Sequence, residues 1–334
     1  MENNLLWRLT RTPIGLPEDR DLELIERPLE RLPDGAVRTR NLILSIDPTI
    51  RLWMNPVEQS AAPIGAGEVV RSFVLGRVCE SRHSKFRVGD LVMGLGGWEK
   101  WSVMTSARHV PQDDRFSLAD QASVLGMTGA SAYFGLLYEG RPQPGEVVVV
   151  SAAAGAVGSI VGQIAKIQGC RAVGIAGGEG KCERLVQTFG FDAAVDYKQG
   201  HLPGQLAAAC PDGIDIGFEN VGGPVLDAVL SHINDRARIV LCGLIGSYNE
   251  GDSWQSVSLL RNILFKRAHL RGFLISTYWK QLQEANDKLR DWILEGRIHW
   301  EVDVLEGLQA APDALRRVLE GRNRGKQLVA LQED

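Results

Sequence analysis

The sequence predicts an α/β protein in which a doubly wound parallel sheet is joined to a second, mostly antiparallel β domain. Its 334 residues exceed one domain at about 150 residues per domain. From Gln143 to Ser276, short β-branched runs alternate with helical patterns, as in a parallel sheet. The first 125 residues are instead short strand-like runs broken by proline and glycine, and strand-like runs return after Arg297. We expect the parallel-sheet domain at 125–297 and the β domain at 1–124 and 298–334.

Six β-branched runs predict the strands of the parallel sheet. Five crossovers separate them, which is the number in a complete dinucleotide-binding sheet. The runs are EVVVVS (146–151), RAVGIAG (171–177), DAAVDY (192–197), IDIGFEN (214–220), ARIVLCG (237–243) and LRGFLIS (270–276).

The uncharged stretch from Val147 to Ala165 is long enough to cross a bilayer. Its four consecutive valines favour a buried strand, and the residues after the Gly/Ala turn repeat at helical spacing up to Gly169. We therefore predict a strand, a turn and a helix starting near Ala156, and no membrane span. A second helical stripe is predicted after Pro224, at Leu226, Val229, Leu230 and Ile233.

The composition argues against several classes of protein. The 37 basic and 41 acidic side chains give a net charge of −4, without a basic block, so we expect no nucleic-acid partner. Five dispersed cysteines and six isolated histidines disfavour a disulfide framework and a metal site. The amino-terminal apolar run is too short for a signal peptide, so we expect a cytoplasmic protein.

Glycine is overrepresented, at 37 of 334 residues against a usual level of about 7%. The clearest cluster is Ala153-x-Gly155-x-x-Gly158, directly after the valine strand. Gly155 lets the backbone approach a pyrophosphate, the helix amino terminus supplies N–H groups, and Gly158 permits close helix packing. The turn from Gly155 through Ala156 and Val157 to Gly158 therefore predicts dinucleotide binding.

The end of the second parallel strand bears on which nicotinamide nucleotide is bound. It reads Gly177-Gly178-Glu179, with Lys181 close behind. A carboxylate there would accept from an adenine ribose hydroxyl, whereas a 2′-phosphate needs a cation. We favour NADP, with the alternative that Glu179 and Lys181 are ordinary residues of an exposed first helical turn.

Several longer patches resemble the zinc-independent medium-chain dehydrogenases/reductases, in the branch of prostaglandin, curcumin and alkenal double-bond reductases. The resemblance covers nearly the whole chain and implies a Rossmann domain plus a GroES-like domain that binds substrate. The patches are SIDPTIR (45–51), GMTGASAYFGL (126–136), AAAGAVGSIVGQIAK (152–166), ENVGG (219–223), CGLIGSYN (242–249) and GRNRGKQLV (321–329).

The resemblance also implies roles for individual residues. Gly155 to Gly158 would hold the pyrophosphate, and Lys181 and Tyr197 the 2′-phosphate of NADPH. Further cofactor contacts are implied on the nicotinamide side and from the carboxy-terminal segment. These residues are Asn220, Cys242, Gly243, Tyr248, Phe273, Leu274, Ile275 and Asn323.

Tyr248 is our candidate catalytic residue. A hydride added to the β-carbon of an α,β-unsaturated carbonyl leaves negative charge on oxygen, which a hydroxyl donor stabilises without a metal. The alternative is that Tyr248 is a loop aromatic that shields the cofactor from water. For Asp47, which precedes Pro48, we expect a local ion pair with Arg51 that shapes the loop.

The leading hypothesis is an NADPH-dependent reductase of the C=C bond of enals and enones. The alternatives are an NADPH quinone reductase and a catalytically idle NADPH-binding protein. A zinc alcohol dehydrogenase is disfavoured because GAGEVV (65–70) has no histidine before Glu68. We also expect a homodimer, paired edge to edge through the LRGFLIS strand.

Overall fold

The computed structural model describes residues 3–57, 61–251 and 253–331. The strands are β1 Asn3–Leu9, β2 Leu22–Pro28, β3 Val37–Ser45, β4 Arg71–Ser81, β5 Leu91–Gly97, β6 Trp101–Met104, β7 Ala107–His109, β8 Val147–Val150, β9 Arg171–Ala176, β10 Ala193–Asp196, β11 Ile214–Glu219, β12 Ile233–Leu241, β13 His269–Gly272, β14 Val302–Glu306 and β15 Lys326–Ala330. The α-helices are α1 Thr49–Trp53, α2 Leu118–Ala122, α3 Met127–Phe134, α4 Ala156–Ile167, α5 Glu179–Gln187, α6 Leu202–Ala209, α7 Gly223–Leu230, α8 Arg261–Phe265, α9 Leu282–Leu294 and α10 Ala311–Leu319.

The chain forms two compact units. The first comprises Met1–Ser123, Tyr248–Gly251 and Val302–Asp334, and the second comprises Val124–Ser247 and Asp252–Glu301.

The first unit is built on a mostly antiparallel sheet. Its strand order is β14-β15-β3-β4-β5-β7, with β6 also paired to β3 and a separate β1-β2 hairpin. Within this sheet β14 and β15 run parallel, and β15 runs antiparallel to β3. The last strand thus lies in the same sheet as strands of the amino-terminal region. Leu44, Val74 and Trp98 are fully buried in its core.

The turn after β3 is held by a different ion pair from the expected one. The prediction that Asp47 pairs with Arg51 is wrong: Asp47 Oδ1 accepts from Lys326 Nζ at 2.6 Å. Arg51 is fully buried and donates to Gly15 O at 3.0 Å and Asn55 Oδ1 at 2.5 Å. The pairing of β15 with β3 brings Lys326 to Asp47, and local spacing carries no sign of that long-range contact.

The second unit contains the predicted doubly wound sheet. Its strand order is β10-β9-β8-β11-β12-β13 and the strands pair in parallel. Numbered from β8, this is the order 3-2-1-4-5-6 of a dinucleotide-binding fold. The predicted fold class is therefore confirmed.

The stretch from Val147 to Ala165 folds as predicted, with β8 at Val147–Val150 and α4 from Ala156. α4 buries Ile160, Val161 and Ile164, which lie on its apolar stripe. Within the described residues, none of the helices combines the length and the apolar composition that crossing a membrane requires.

The largest differences from the predicted strand bounds are at the start of β12 and the end of β13. Ile233, assigned to the stripe of α7, instead begins β12 and pairs with Ile214, because α7 ends at Leu230. β13 ends at Gly272 rather than at residue 276. A buried residue three positions after a helix fits a helix or a strand, so apolar spacing did not distinguish them.

α4 packs through a glycine against Phe191, which lies in the loop before β10. A Cβ built at Gly162 would overlap the ring of Phe191, which is buried at 2% exposure. Close packing of the helix at this point therefore requires the absence of a side chain.

We predict that Gly162→Ala lowers the free energy of unfolding by about 1–3 kcal/mol, since the Phe191 ring must move. The measurement is urea unfolding followed by far-UV circular dichroism. Gly180→Ala is the matched control, because Gly180 is also helical and a Cβ there meets open space. Equal stability of the two variants would contradict the packing argument.

Candidate functional site

The turn between β8 and α4 brings two stretches of backbone unusually close. Ala152 has a left-handed φ of 46°, a strained conformation for alanine. The Gly155 N–H donates to Ala152 O at 2.9 Å. A Cβ at Gly158 would lie 2.6 Å from Ala152 O and 2.8 Å from Ala153 Cα. The first turn of α4 can therefore sit on the strand end only with glycine at position 158.

The start of α4 forms a cradle for an anion. Gly155 is the extended N-cap, and the first helical hydrogen bond runs from Ser159 N–H to Gly155 O at 3.1 Å. The N–H groups of Ala156, Val157 and Gly158 precede that bond, so the helix itself gives them no acceptor. The first turn carries no acidic residue. The positive end of the helix dipole is thus open to a phosphate group.

The turn after β9 lies beside this cradle, because β9 is the neighbour of β8 in the sheet. Gly178 has a φ of 97°, which favours glycine. A Cβ at Gly177 would lie 2.7 Å from the Tyr197 ring and its hydroxyl oxygen. Tyr197 packs on this glycine and stays 48% exposed. The aromatic ring therefore forms part of the open surface at this edge.

Cationic side chains surround the same turn. Burial lowers the pKa of Lys181, and the nearby charges of Arg184 and Lys198 lower the pKa further. Arg184 forms an ion pair with Glu301. A bound phosphate dianion would relieve the repulsion among these cations.

Glu179 is exposed in the first turn of α5. Its place agrees with the alternative interpretation of this residue as ordinary helix-start material. Lys181 lies in the same first turn, but it is half-buried and near two other cations, Arg184 and Lys198.

A buried carboxylate joins the ends of β8 and β11. Glu219 is 1% exposed, and its Oε1 accepts from Ser151 Oγ at 2.8 Å. The same oxygen accepts from the N–H groups of Val221 at 2.6 Å and Gly222 at 2.8 Å. Burial raises the pKa of Glu219, against the opposing effect of these donors. These hydrogen bonds to the carboxylate therefore fix the backbone that follows β11.

The main chain of Glu219 extends the same network to β12. Glu219 O accepts from the N–H groups of Cys242 at 2.9 Å and Gly243 at 3.1 Å. Asn220 donates from Nδ2 to Ser151 O at 2.7 Å. Burial raises the pKa of Cys242 to about 12, which keeps the thiol protonated. Cys242 thus contributes backbone and packing, and no thiolate nucleophile.

The remaining predicted residues fall in different places. Phe273 is 6% exposed and directly follows β13, Leu274 is exposed, and Ile275 begins a 3-10 helix that runs to Gln281. Tyr248 is 6% exposed and belongs to the first unit, directly after the 3-10 turn Ile245–Ser247. Asn323 is also in the first unit, and its Nδ2 donates to Gly325 O at 2.8 Å.

The structure brings most predicted cofactor residues to the carboxyl edge of the second unit's sheet. They are Gly155, Ala156, Val157, Gly158, Lys181, Tyr197, Asn220, Cys242 and Gly243. This edge is where open α/β sheets bind ligands.

Sequence reasoning missed Ser151, Glu219 and Asp196, which shape the edge without being expected to touch a ligand. Ser151 ends the predicted strand 146–151, and Glu219 and Asp196 are the second-last residues of the predicted strands 214–220 and 192–197. An acidic residue near the end of an otherwise apolar strand could have predicted these positions, because a buried carboxyl group requires hydrogen-bond partners.

Among residues 3–57, 61–251 and 253–331, no group of three or more His, Cys, Asp or Glu side chains is placed to hold a metal ion.

Two family models match the chain. Residues 6–113 match the N-terminal domain of oxidoreductase. Residues 156–291 match the family described as zinc-binding dehydrogenase.

The chain is similar to characterised proteins along its whole length. It is 38% identical to the NADPH-dependent curcumin reductase of Escherichia coli, covering 100% of this chain and 98% of the relative. It is 38% identical to a 2-alkenal reductase (NADP(+)-dependent) of Nicotiana tabacum, covering 96% and 95%. The solved structure of CurA from Vibrio vulnificus in complex with NADPH has a TM-score of 0.93 and 37% identity, covering 99% and 100%.

Fold and sequence together define an oxidoreductase with two domains. The chain belongs to the medium-chain dehydrogenase/reductase superfamily, in the branch of the curcumin, alkenal and prostaglandin reductases.

We predict that Glu219→Gln becomes more stable relative to the wild type as pH rises. Burial raises the pKa of Glu219 in the folded protein, so the native state keeps a proton that the unfolded chain loses at lower pH. The stability contributed by this group is present below the unfolded carboxyl pKa and is lost as pH rises through the folded pKa. Glutamine has no such proton.

The measurement is the difference in urea midpoint between the two proteins across a pH series from about 4 upward, beginning near the pKa of an ordinary carboxyl group. Other titrating groups cancel in that difference. Glu183→Gln is a control, since Glu183 is an exposed residue of α5. A difference that is flat with pH, or that moves towards the wild type, would contradict the assignment.

Proposed function

We propose that this protein is an NADPH-dependent reductase that acts on the C=C bond of α,β-unsaturated aldehydes and ketones. The observation that carries the proposal is the carboxyl edge of the second unit, where an anion cradle adjoins a cation-rich turn. The curcumin and alkenal reductases, named as NADPH- or NADP-dependent, support the cofactor and the class of substrate.

The cradle at α4 fits a pyrophosphate. Glycine at position 158 keeps side-chain atoms away from the strand end, and the N–H groups of Ala156 and Val157 precede the first helical hydrogen bond. A pyrophosphate bound there would take these donors and the positive end of the helix dipole.

The turn after β9 fits a 2′-phosphate. Lys181 and Lys198 supply positive charge, and the Tyr197 hydroxyl lies beside Gly177. Glu179, the nearest acid in sequence, sits exposed in the first turn of α5. Cations and a hydroxyl recognise a phosphate, whereas a ribose diol would need an acceptor.

When bound, NADPH would supply the hydride for the β-carbon of the substrate, and a proton taken up at the α-carbon would complete the reduction of the C=C bond. Tyr248 would donate a hydrogen bond from its hydroxyl to the substrate carbonyl oxygen, where negative charge develops. Its burial at 6% exposure favours a strong interaction, because a donor acts more strongly away from water.

The other residues that the resemblance implies would line the nicotinamide part of the cofactor site. Asn220, Cys242 and Gly243 would offer backbone and amide groups there, Phe273 to Ile275 would back the ring, and Asn323 would approach from the carboxy-terminal segment. The buried Phe273 suits an apolar backing, whereas Leu274 is exposed.

We further propose that the protein is a homodimer through the edge strand β13. β13 ends the sheet of the second unit, and its residues are exposed. Leu264 at 73% exposure and Phe265 at 70% exposure lie on α8, shortly before that strand. An uncovered edge beside exposed apolar side chains favours pairing with a second copy.

The test of function is NADPH oxidation with a panel of 2-alkenals, enones and quinones. We expect turnover with alkenals and enones, and a kcat about tenfold to hundredfold lower for Tyr248→Phe with little change in KM for NADPH. Tyr138→Phe, remote in sequence and on the surface of the second unit, is the control.

Three results would contradict this proposal. Faster turnover with quinones than with alkenals would favour a quinone reductase. Bound NADPH without turnover of any compound would favour the idle binding protein. An unchanged rate for Tyr248→Phe would remove Tyr248 as the donor.

The test of the dimer is the mass in solution by sedimentation equilibrium. We expect the mass of two chains for the wild type and of one chain for Phe265→Asp, since a carboxylate in an apolar interface is costly. Val186→Asp, on the exposed face of α5, should stay dimeric. A wild type that sediments as a monomer would contradict this proposal.

A further inference from the structure

One aspartate holds two turns of the cofactor edge together. Asp196, the last residue of β10, accepts on Oδ1 from the Gly178 N–H at 2.8 Å and from the Lys198 N–H at 3.0 Å. Gly178 belongs to the turn after β9, and Lys198 to the 3-10 turn Tyr197–Gln199. A single oxygen atom therefore fixes one turn against the other.

A second polar contact fixes the 3-10 turn from its other side. Gln205, on α6, donates from Nε2 to Asp196 O at 3.1 Å and to Gly200 O at 2.6 Å. The residues of the turn itself are exposed. Because the turn buries little apolar surface, its conformation depends on these hydrogen bonds.

The turn that Asp196 holds carries two of the groups proposed to meet the 2′-phosphate. Tyr197 packs on Gly177, so that a Cβ there would lie 2.7 Å from the Tyr197 hydroxyl oxygen. Lys198 adds positive charge near Lys181. Displacement of the turn would therefore move Tyr197 and Lys198 away from the proposed 2′-phosphate site.

The charge of Asp196 opposes the binding of a phosphate, since a carboxylate beside a phosphate is repelled by it. Its two backbone hydrogen bonds lower the pKa of the carboxyl group, which keeps it ionised. Any favourable contribution of this residue to phosphate binding is therefore geometric.

We propose that Asp196 is a positioning residue that sets the preference for NADPH over NADH. Its side-chain oxygen holds Tyr197 and Lys198 where they bind the 2′-phosphate, so the hydrogen-bond acceptor at this position favours binding whereas the negative charge opposes it. This inference rests on the proposed function, because it presumes that the edge binds the 2′-phosphate.

The experiment measures binding of adenosine 2′,5′-bisphosphate and of AMP by calorimetry to the wild type, Asp196→Ala, Asp196→Asn and Asp196→Glu. The two probes differ in the 2′-phosphate alone. KM values for NADPH and NADH provide a second readout.

For Asp196→Ala we expect the Kd for the bisphosphate to rise about tenfold, with the Kd for AMP within about twofold of the wild type. Asp196→Asn should bind the bisphosphate at least as tightly as the wild type, because it keeps the acceptor and removes the charge. Asp196→Glu keeps the charge but displaces the acceptor, so it should weaken binding in the same sense as alanine.

Asp192→Ala is the matched control, since Asp192 precedes the other end of β10 and accepts from Ala172 N–H at 2.7 Å and Lys166 Nζ at 2.7 Å. It should lower stability without changing the ratio of the two Kd values. Bisphosphate binding by Asp196→Ala that equals or exceeds that of Asp196→Asn would overturn the inference. A wild type that binds the two probes equally would instead contradict the proposed cofactor itself, and the inference with it.

Discussion

The close approach of α4 to the end of β8 is the constraint on which the rest of the site depends. Gly158 lies where a Cβ would meet Ala152 O at 2.6 Å, and Ala152 takes a left-handed φ of 46° to complete the turn. Helix and strand can meet this closely only without a side chain at 158. The helix amino terminus thereby reaches the edge of the sheet, where a phosphate can use its N–H groups.

The acidic and the basic side chains at this edge have different roles. Glu219 is buried and accepts hydrogen bonds from backbone N–H groups and from a hydroxyl group. These hydrogen bonds fix the loops after β8, β11 and β12. Lys181 lies near Lys198, whose charge lowers the pKa of Lys181 in addition to the effect of burial. Under the proposed function these cations would meet a phosphate group of the nucleotide, while the buried acid fixes the backbone.

Local sequence patterns predicted the strand, turn and helix of 147–167 and the parallel sheet, because periodicity and glycine spacing express local geometry. Long-range contacts escaped prediction. Asp47 forms an ion pair with Lys326, and Ser151 donates a hydrogen bond to Glu219. Both contacts join residues that are far apart in sequence and that only the topology brings together. Ile233 fitted a helix or a strand equally well. The cytoplasmic location and the roles of Tyr248 and Asn323 stay predictions.

The most direct measurement of the central claim follows the hydride itself. A 2-alkenal is reduced with NADPH that carries deuterium at the transferable position of the nicotinamide, and the product is analysed by mass spectrometry and NMR. The account predicts a saturated aldehyde with one deuterium on the former β-carbon. Deuterium on the carbonyl carbon of an alcohol, or a product without deuterium, would contradict it.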